Sequence, residues 1–432
     1  MKNYKSITII LLAVIISMGS CKKFLKEELN DNPTALSYPE PSLLLPTAIA
    51  NLAYYYGGDF ARHSALLNQQ VVGTGNQWAG YANYNYTDSD FDNPWNSLYG
   101  TTLQNLDEIA TYANGEGMLH YEGLSKILMA FTYSILVDYW DEVPFSEALQ
   151  GADNLQPKFD AGASVYAGCH TLIDEGIALL GQADVGQVPG SDDLLFAGDV
   201  QSWIDFGHQI KIRLYVHTKD YNLASGQIAQ SNPVDAVVSF GGQSGPMAQF
   251  NSNRAGDITY IGSNLYNLMT AIGDERVYTY VDTALDELGA VFGAPSAPVW
   301  LLSSIERRYL AAEVYARTGQ PTAMLNTIAR ADSLSFDYAG NPAGLAALNT
   351  AYPVNAADPT ATQVEAIIMH KYFAMFLQPE AYADWRRTGF PALTPLQGST
   401  IPTRFLYGNG EKNTNPNTPS GKTIYQTVFW DN

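Results

Sequence analysis

Cysteine is nearly missing from this chain: Cys21 and Cys169 are the only two in 432 residues. A disulfide-stapled fold is therefore excluded, and Cys169, at an apolar helical position in VYAGCHTLI, reads as a small buried hydrophobe. Cations are scarce, with 23 Lys and Arg against 43 Asp and Glu, a formal charge of −20. Nucleic acid and bare phosphate surfaces need a basic footprint, so this balance argues against both as partners. The six histidines (His63, His120, His170, His208, His217, His370) show no HExxH or other close ligand pair, and no GxSxG or phosphate-cradling loop occurs. No cofactor is implied, although a structural calcium ion, which needs only oxygen ligands, stays open. Past the N-terminus no apolar run reaches the about 20 residues of a bilayer span.

Aromatic residues are abundant instead. They make up 12% of the chain, 28 of them Tyr, while charged residues make up only 15%. A surface poor in charge and rich in Tyr, Trp, Asn and Gln suits uncharged polar ligands. The competing reading is that the tyrosines fill a helical core.

The N-terminus carries the one long apolar run. Lys2 and Lys5 precede Ile7 to Ile16, and Ser17, Gly19 and Ser20 lead into Cys21. That is the layout of a secretory signal over residues 1–20. A cysteine straight after small residues resembles the lipobox of bacterial lipoproteins, with Met18 where leucine is usual. Cys21 is then the expected lipidation site, and two or more acyl chains anchor stably. An ordinary secretion signal is the alternative. Residues 21–41 read as a flexible tether, and 42–432 as a single domain.

Helical periodicity dominates that domain. Helices are expected from Ser42, over Ser97–Ala113, over Glu122–Tyr139, from a cap at Ser164, from a cap at Asp199, and as a pair over Leu301–Phe336 broken at Gly319 and Pro321. A capping box at Thr362–Glu365 opens another. Pro379 starts a last helix, EAYADWRRTGFP, with Trp385 inward. The pattern fails at about 54–96 and 232–298, which read as irregular insertions; AVVSF, ITYIG and RVYTYVD are strand-like. The tail from Ala392 should wrap the body as coil.

Acids cluster at Asp138, Asp141, Glu142 and Glu147, and paired carboxylates can cleave glycosides. Their place at a helix end and Pro turn favours a capping role.

Several stretches, in order, resemble the SusD/RagB family of outer-membrane nutrient-binding lipoproteins, SusD-like subgroup. They are LNDNPT, LLLPTAIANLA, DYWDEVPFSEAL, LLFAGDVQSWIDFGHQIKIRL, ERRYLAAEVYARTG, IIMHKYFAMFLQPEAYADWRRTGFPAL, IPTRFLYGNGEKNTN and VFWDN, together spanning nearly the whole mature chain. The resemblance implies a mainly α fold: a body of tetratricopeptide-like helix pairs with an irregular, loop-rich ligand-binding lobe. It implies lipid anchorage at the outer membrane, facing outward, and a SusC-like TonB-dependent barrel as partner. The implied ligand is an oligosaccharide, or a peptide as in RagB-like relatives, and no chemistry is done on it. A secreted helical glycoside hydrolase is the rival class.

Sugar rings stack on Trp and Tyr faces while their hydroxyls pair with amides. The candidate ligand residues are therefore Trp78, Tyr81, Tyr84 and Tyr86 with Asn76 and Gln77, two or three of the rings being expected exposed. Trp300, Arg254 and Asn251 are secondary candidates. Arg386 and Arg387, placed to clamp a carboxylate, read instead as structural.

Overall fold

In the computed structural model residues 39–241, 244–398 and 400–431 are described. The expected signal peptide, Cys21 and nearly all of the tether lie outside the described residues. The body starts with α1 (Pro41–Tyr55), which buries Leu45, Ala48, Ile49 and Leu52 at helical spacing. Pro46 sits in its second turn rather than its first, at the cost of one backbone bond.

The stretch 54–96 is largely helical, contrary to the sequence reading. A wide π-type turn at Tyr56–Phe60 carries the chain from α1 into α2 (Ala61–Leu67). Two short helices follow, α3 (Asn76–Tyr81) and α4 (Asp92–Ser97), and a second π-type turn leads into α5 (Gln104–Glu116). Of the glycines in this stretch, Gly57 and Gly58 sit in the first π-type turn, Gly75 precedes α3 and Gly80 lies within it.

The long α6 (Leu119–Trp140) then packs on α7 (Gly162–Leu180), which begins two residues before Ser164. They meet at Gly123 and Gly176: a Cβ on either would stand within 2.9 Å of the other's carbonyl oxygen. Asp199 caps α8 (Val200–His217), its carboxylate accepting from Ser202 N at 2.9 Å, and α9 (Tyr221–Gln230) returns along it. Within the second insertion lie α10 (Pro246–Asn253) and α11 (Asn264–Ile272), and after it come α12 (Ser304–Arg317), α13 (Pro321–Ala339), α14 (Thr360–Ala374) and α15 (Glu380–Thr388). The capping box expected at Thr362 lies inside α14, which Pro359 opens. Packing runs α1 on α5, then α6, α7, α8 and α9 in turn, with α12 joining α9 to α13 and α14.

The second insertion is folded too. Two antiparallel pairs join it to the rest of the chain, β1 (Val72–Gly73) with β3 (Ile258–Thr259) and β2 (Ala236–Val238) with β6 (Val299–Leu302), and a third, β4 (Val281–Asp282) with β5 (Glu287–Leu288), lies within it. AVVSF and ITYIG do supply strands, but RVYTYVD is mostly a helical turn, Val277–Tyr280, ahead of β4. The lobe has its own apolar core, in which Trp78, Tyr260, Met269 and Tyr280 pack with Phe373 and Phe376.

The tail closes the C-terminal end of α6. The last carbonyls of a helix have no partner within it. Here Phe405 N donates to Tyr139 O at 2.7 Å, Tyr407 Oη to Trp140 O at 3.0 Å and to Glu142 O at 2.7 Å, and Arg386 Nη1 to Asp138 O at 2.7 Å. The tail is coil apart from α16 (Asn409–Thr414). Among the described residues no helix is long and apolar enough to cross a membrane.

Candidate functional site

The aromatic segment turns inward. Trp78 is only 3% exposed, Tyr81 and Tyr84 are buried, and Tyr86 is half-buried. Their centre is His63 of α2, whose imidazole lies 5.0 Å from Trp78, 5.3 Å from Tyr81, 5.7 Å from Tyr86, 5.2 Å from Phe91 and 5.7 Å from Phe405. Burial pushes its pKa down to about 4, so it is neutral near pH 7. Tyr86 stacks on Tyr81 at 4.7 Å, and Phe91 on Phe405 at 3.9 Å. Tyr81 Oη donates to Asp90 at 2.5 Å, while Tyr84 Oη accepts from Leu396 N at 3.0 Å. Each large ring carries roughly 150–250 Å² of surface, enough to make this stretch a core once partners exist. The partners are His63 and Phe405, and the expectation of two or three exposed rings is corrected accordingly.

The polar candidates do meet. Asn76 Nδ2 donates to Asp257 Oδ1 at 2.6 Å, and Arg254 Nη2 reaches both Gln77 Oε1 and Asp257 Oδ2 at 2.5 Å. Asp257 is buried, whereas Asn76 and Gln77 are exposed and Arg254 is half-exposed. This knot ties α3 to the chain just past α10. Asn251 points elsewhere, donating to Glu287 Oε2 at 3.3 Å.

Trp300, on β6, keeps part of its ring in solvent. Its Nε1 donates to Tyr338 Oη at 3.4 Å, with the rings edge to face at 5.5 Å. Small hollows of about 30 Å³ lie on either side, sharing Trp300, Phe292 and Gln378, and one reaches Pro246 and Met247 of α10. Hollows of that size hold about one or two waters. Sequence reasoning missed Tyr338, which sits inside an ordinary helical stripe of α13.

The acids are occupied by structural work. Asp138 Oδ1 accepts from Trp430 Nε1 at 2.9 Å and from Tyr166 Oη, and Asp141 Oδ1 accepts from Phe429 N at 2.9 Å. Glu142 pairs with Lys422 at 2.7 Å and Glu147 with Lys158 at 3.3 Å. They tie down tail and loop more than they cap a helix. Arg386 and Arg387 are buried, as the structural reading requires, while Trp385 is only half-buried. Arg387 forks onto Glu313 at 2.7 and 2.5 Å and also reaches Asp384 at 2.6 Å. Nearby, Arg213 holds Glu306 at 2.8 Å and Glu380 at 3.3 Å. Among the described residues no three His, Cys, Asp or Glu side chains converge on a metal position.

A family model described as starch-binding and associating with the outer membrane, SusD-like, matches residues 33–296 and 286–408. No curated protein matches. Among solved structures, a SusD/RagB family protein from Bacteroides thetaiotaomicron is 20% identical, with a TM-score of 0.74 over 91% of this chain and 99% of that one. A chitin-binding SusD homologue from Flavobacterium johnsoniae is 20% identical, with a TM-score of 0.76 over 91% and 98%. A SusD homologue from Bacteroides uniformis is 19% identical, with a TM-score of 0.75 over 90% and 99%. These likenesses establish the fold.

Proposed function

The chain belongs to the SusD-like family, described as starch-binding and associating with the outer membrane, and on that premise we propose that it is a surface lipoprotein that captures a neutral oligosaccharide for uptake. The family match, which spans nearly the whole chain, carries this reading. Lipid on Cys21 would hold the body at the outer membrane, facing outward, and a SusC-like TonB-dependent barrel would receive the ligand.

The ligand face we assign runs from Trp300 and Tyr338 along α10 to Arg254 and Gln77. An eight-residue helix spans about 12 Å, so the face has room for more than one sugar ring. Trp300 offers a ring for C–H stacking, and Gln77 and Arg254 offer hydrogen bonds to hydroxyls. Binding without chemistry fits the acids at Asp138–Glu147, which are engaged with tail and loop and leave no free pair beside a ligand.

Arrayed glycans and peptides offered to the protein test the reading. Retention of glycans, no cleaved product and roughly tenfold weaker binding by Trp300→Ala are expected, equivalent to about 1.4 kcal/mol. Release of reducing sugar would make the protein a hydrolase, and retention of peptides alone would make it a peptide binder.

A further inference from the structure

The geometry points to a second binding site, for a neutral polyhydroxylated ligand of one or two sugar rings, in a cavity remote in sequence from the Trp300 face. It lies between the start of α5, the loop after α6 and α16, and none of the residues of the Trp300 face lines it. Its volume of about 370 Å³ contrasts with about 30 Å³ beside Trp300, and falls within the roughly 300–1,000 Å³ typical of ligand sites.

The lining selects the class of ligand. Glu411 is the one charged residue among those that line it, and its carboxylate is already used by Trp95 Nε1 at 3.3 Å and Asn415 Nδ2 at 2.9 Å. An anion would find no counter-charge there, and a cation would have to compete for an engaged carboxylate. Asn96 and Gln150 line the cavity from exposed positions, and their amides make no side-chain hydrogen bond among the described residues. Each can donate to one hydroxyl and accept from another. Tyr99 adds an apolar ring: half-buried, it is pinned by its hydroxyl on Pro144 O at 2.7 Å and by Trp95 at 4.9 Å. Leu155, 77% exposed, leaves an apolar side chain at the lip for the C–H face of a sugar to cover. Free amides beside fixed aromatic and aliphatic faces fit a saccharide better than either a charged or a wholly apolar molecule.

The cavity is built before ligand arrives. Gln156 Nε2 donates to Thr414 O at 3.1 Å, Asn417 Nδ2 to Gln156 O at 2.8 Å, and Asn415 Nδ2 to Pro157 O at 2.9 Å. These bonds stitch the tail to the loop after α6. Leu149, also in the lining, is held at a φ of +62°, a left-handed backbone that a leucine adopts only when its surroundings impose it. Walls fixed in this way reduce the ordering that binding requires.

Gly100 gives a clean test. It is exposed and in the lining, and a Cβ there would meet no atom within 4 Å, so a side chain can leave the backbone freely and Gly100→Phe should place its ring in the cavity. Maltotriose and N,N′,N″-triacetylchitotriose, both uncharged, are titrated calorimetrically into the full chain, with melting temperature as the fold control. At least one should bind, and Gly100→Phe should weaken that binding at least tenfold with unchanged melting. Asn96→Ala with Gln150→Ala should weaken it severalfold, and decides the question if Gly100→Phe fails to fold. Binding that survives both changes, or no binding of either trisaccharide, overturns the second site. Loss through Trp300→Ala alone would likewise remove this site and leave the proposed function standing; loss through Gly100→Phe alone would establish this site and move the ligand away from Trp300.

Discussion

Arg386 Nη1 donates to the main-chain oxygen of Asp138 at 2.7 Å, across 248 residues of sequence. The same nitrogen donates to Thr403 O at 2.9 Å and lies 3.6 Å from Asp431, while the guanidinium stacks over Tyr382 and Trp430 at 4.6 and 4.5 Å. One side chain thus ties α6, α15 and the tail together. Burial works against its charge, but Asp431 and the rings around it raise its pKa above the ordinary arginine value.

Arg386→Ala should therefore cost about 3–5 kcal/mol, because it strands buried acceptors and the Asp431 carboxylate. Arg386→Lys should recover only part of this, since an ammonium cannot reproduce the planar stacking on Tyr382 and Trp430. Urea unfolding of the three proteins measures it. A loss below 1 kcal/mol for Arg386→Ala would show that the tail is held by other contacts.

Stability should fall as pH rises toward 9 and above, on account of His217. Both ring nitrogens face acceptors: Nε2 is 3.1 Å from Glu380 Oε1, and Nδ1 is 2.9 Å from Tyr166 Oη, which in turn donates to Asp138. The Trp430 ring covers it at 4.5 Å. Burial disfavours the imidazolium, yet Glu380 and Asp138 outweigh burial and lift its pKa to about 9. A raised folded pKa stabilises fully below the unfolded value of about 6.5 and ceases to do so above about 9. Melting of the wild type at pH 6 and 9.5 should show a loss of a few kcal/mol, and His217→Gln should flatten that slope. The neighbouring Glu380 acts at the other end of the scale: burial opposes its charge, but His217, Arg213 and Lys371 hold its pKa far below the carboxylate range. Its contribution is full above the unfolded value of about 4.3 and declines progressively as pH falls below it.

Trp78→Ala and Trp300→Ala should part company. Trp78 is enclosed by His63, Tyr81 and Phe250, so its truncation should cost about 3–5 kcal/mol in denaturant. Any effect on ligand should then scale with unfolding. Trp300→Ala should cost less stability and act mainly on binding, as its ring is only partly buried. Equal stability losses for the two variants would contradict this assignment.

Much of the helical body was legible because periodicity is a local property. The span of α6, the Asp199 cap on α8 and the Gly319–Pro321 break between α12 and α13 all stand where spacing puts them, although α6 is buried on nearly every side. The stretch 54–96 is misread because Gly57 and Gly58 interrupt the apolar periodicity, yet they sit in a π-type turn that continues a helix. Arg386 and Arg387 were legible as structural, because an amphipathic helix end offers carbonyls and acids nearby. Their partners, Asp138 O and Glu313, were not.

By itself the sequence determined where the long helices of the body form, that disulfides do not support the fold, and which family the order of its motifs resembles. It could not say which way a ring points. Trp78, Tyr81 and Tyr86 are core because α2 brings His63 and the tail brings Phe405 against them, contacts that no local pattern encodes. The cavity at Tyr99 likewise needs walls from residues 95–104, 144–157 and 411–415. Burial and enclosure are properties of surfaces meeting across the chain, and only the tertiary structure decides which surfaces meet.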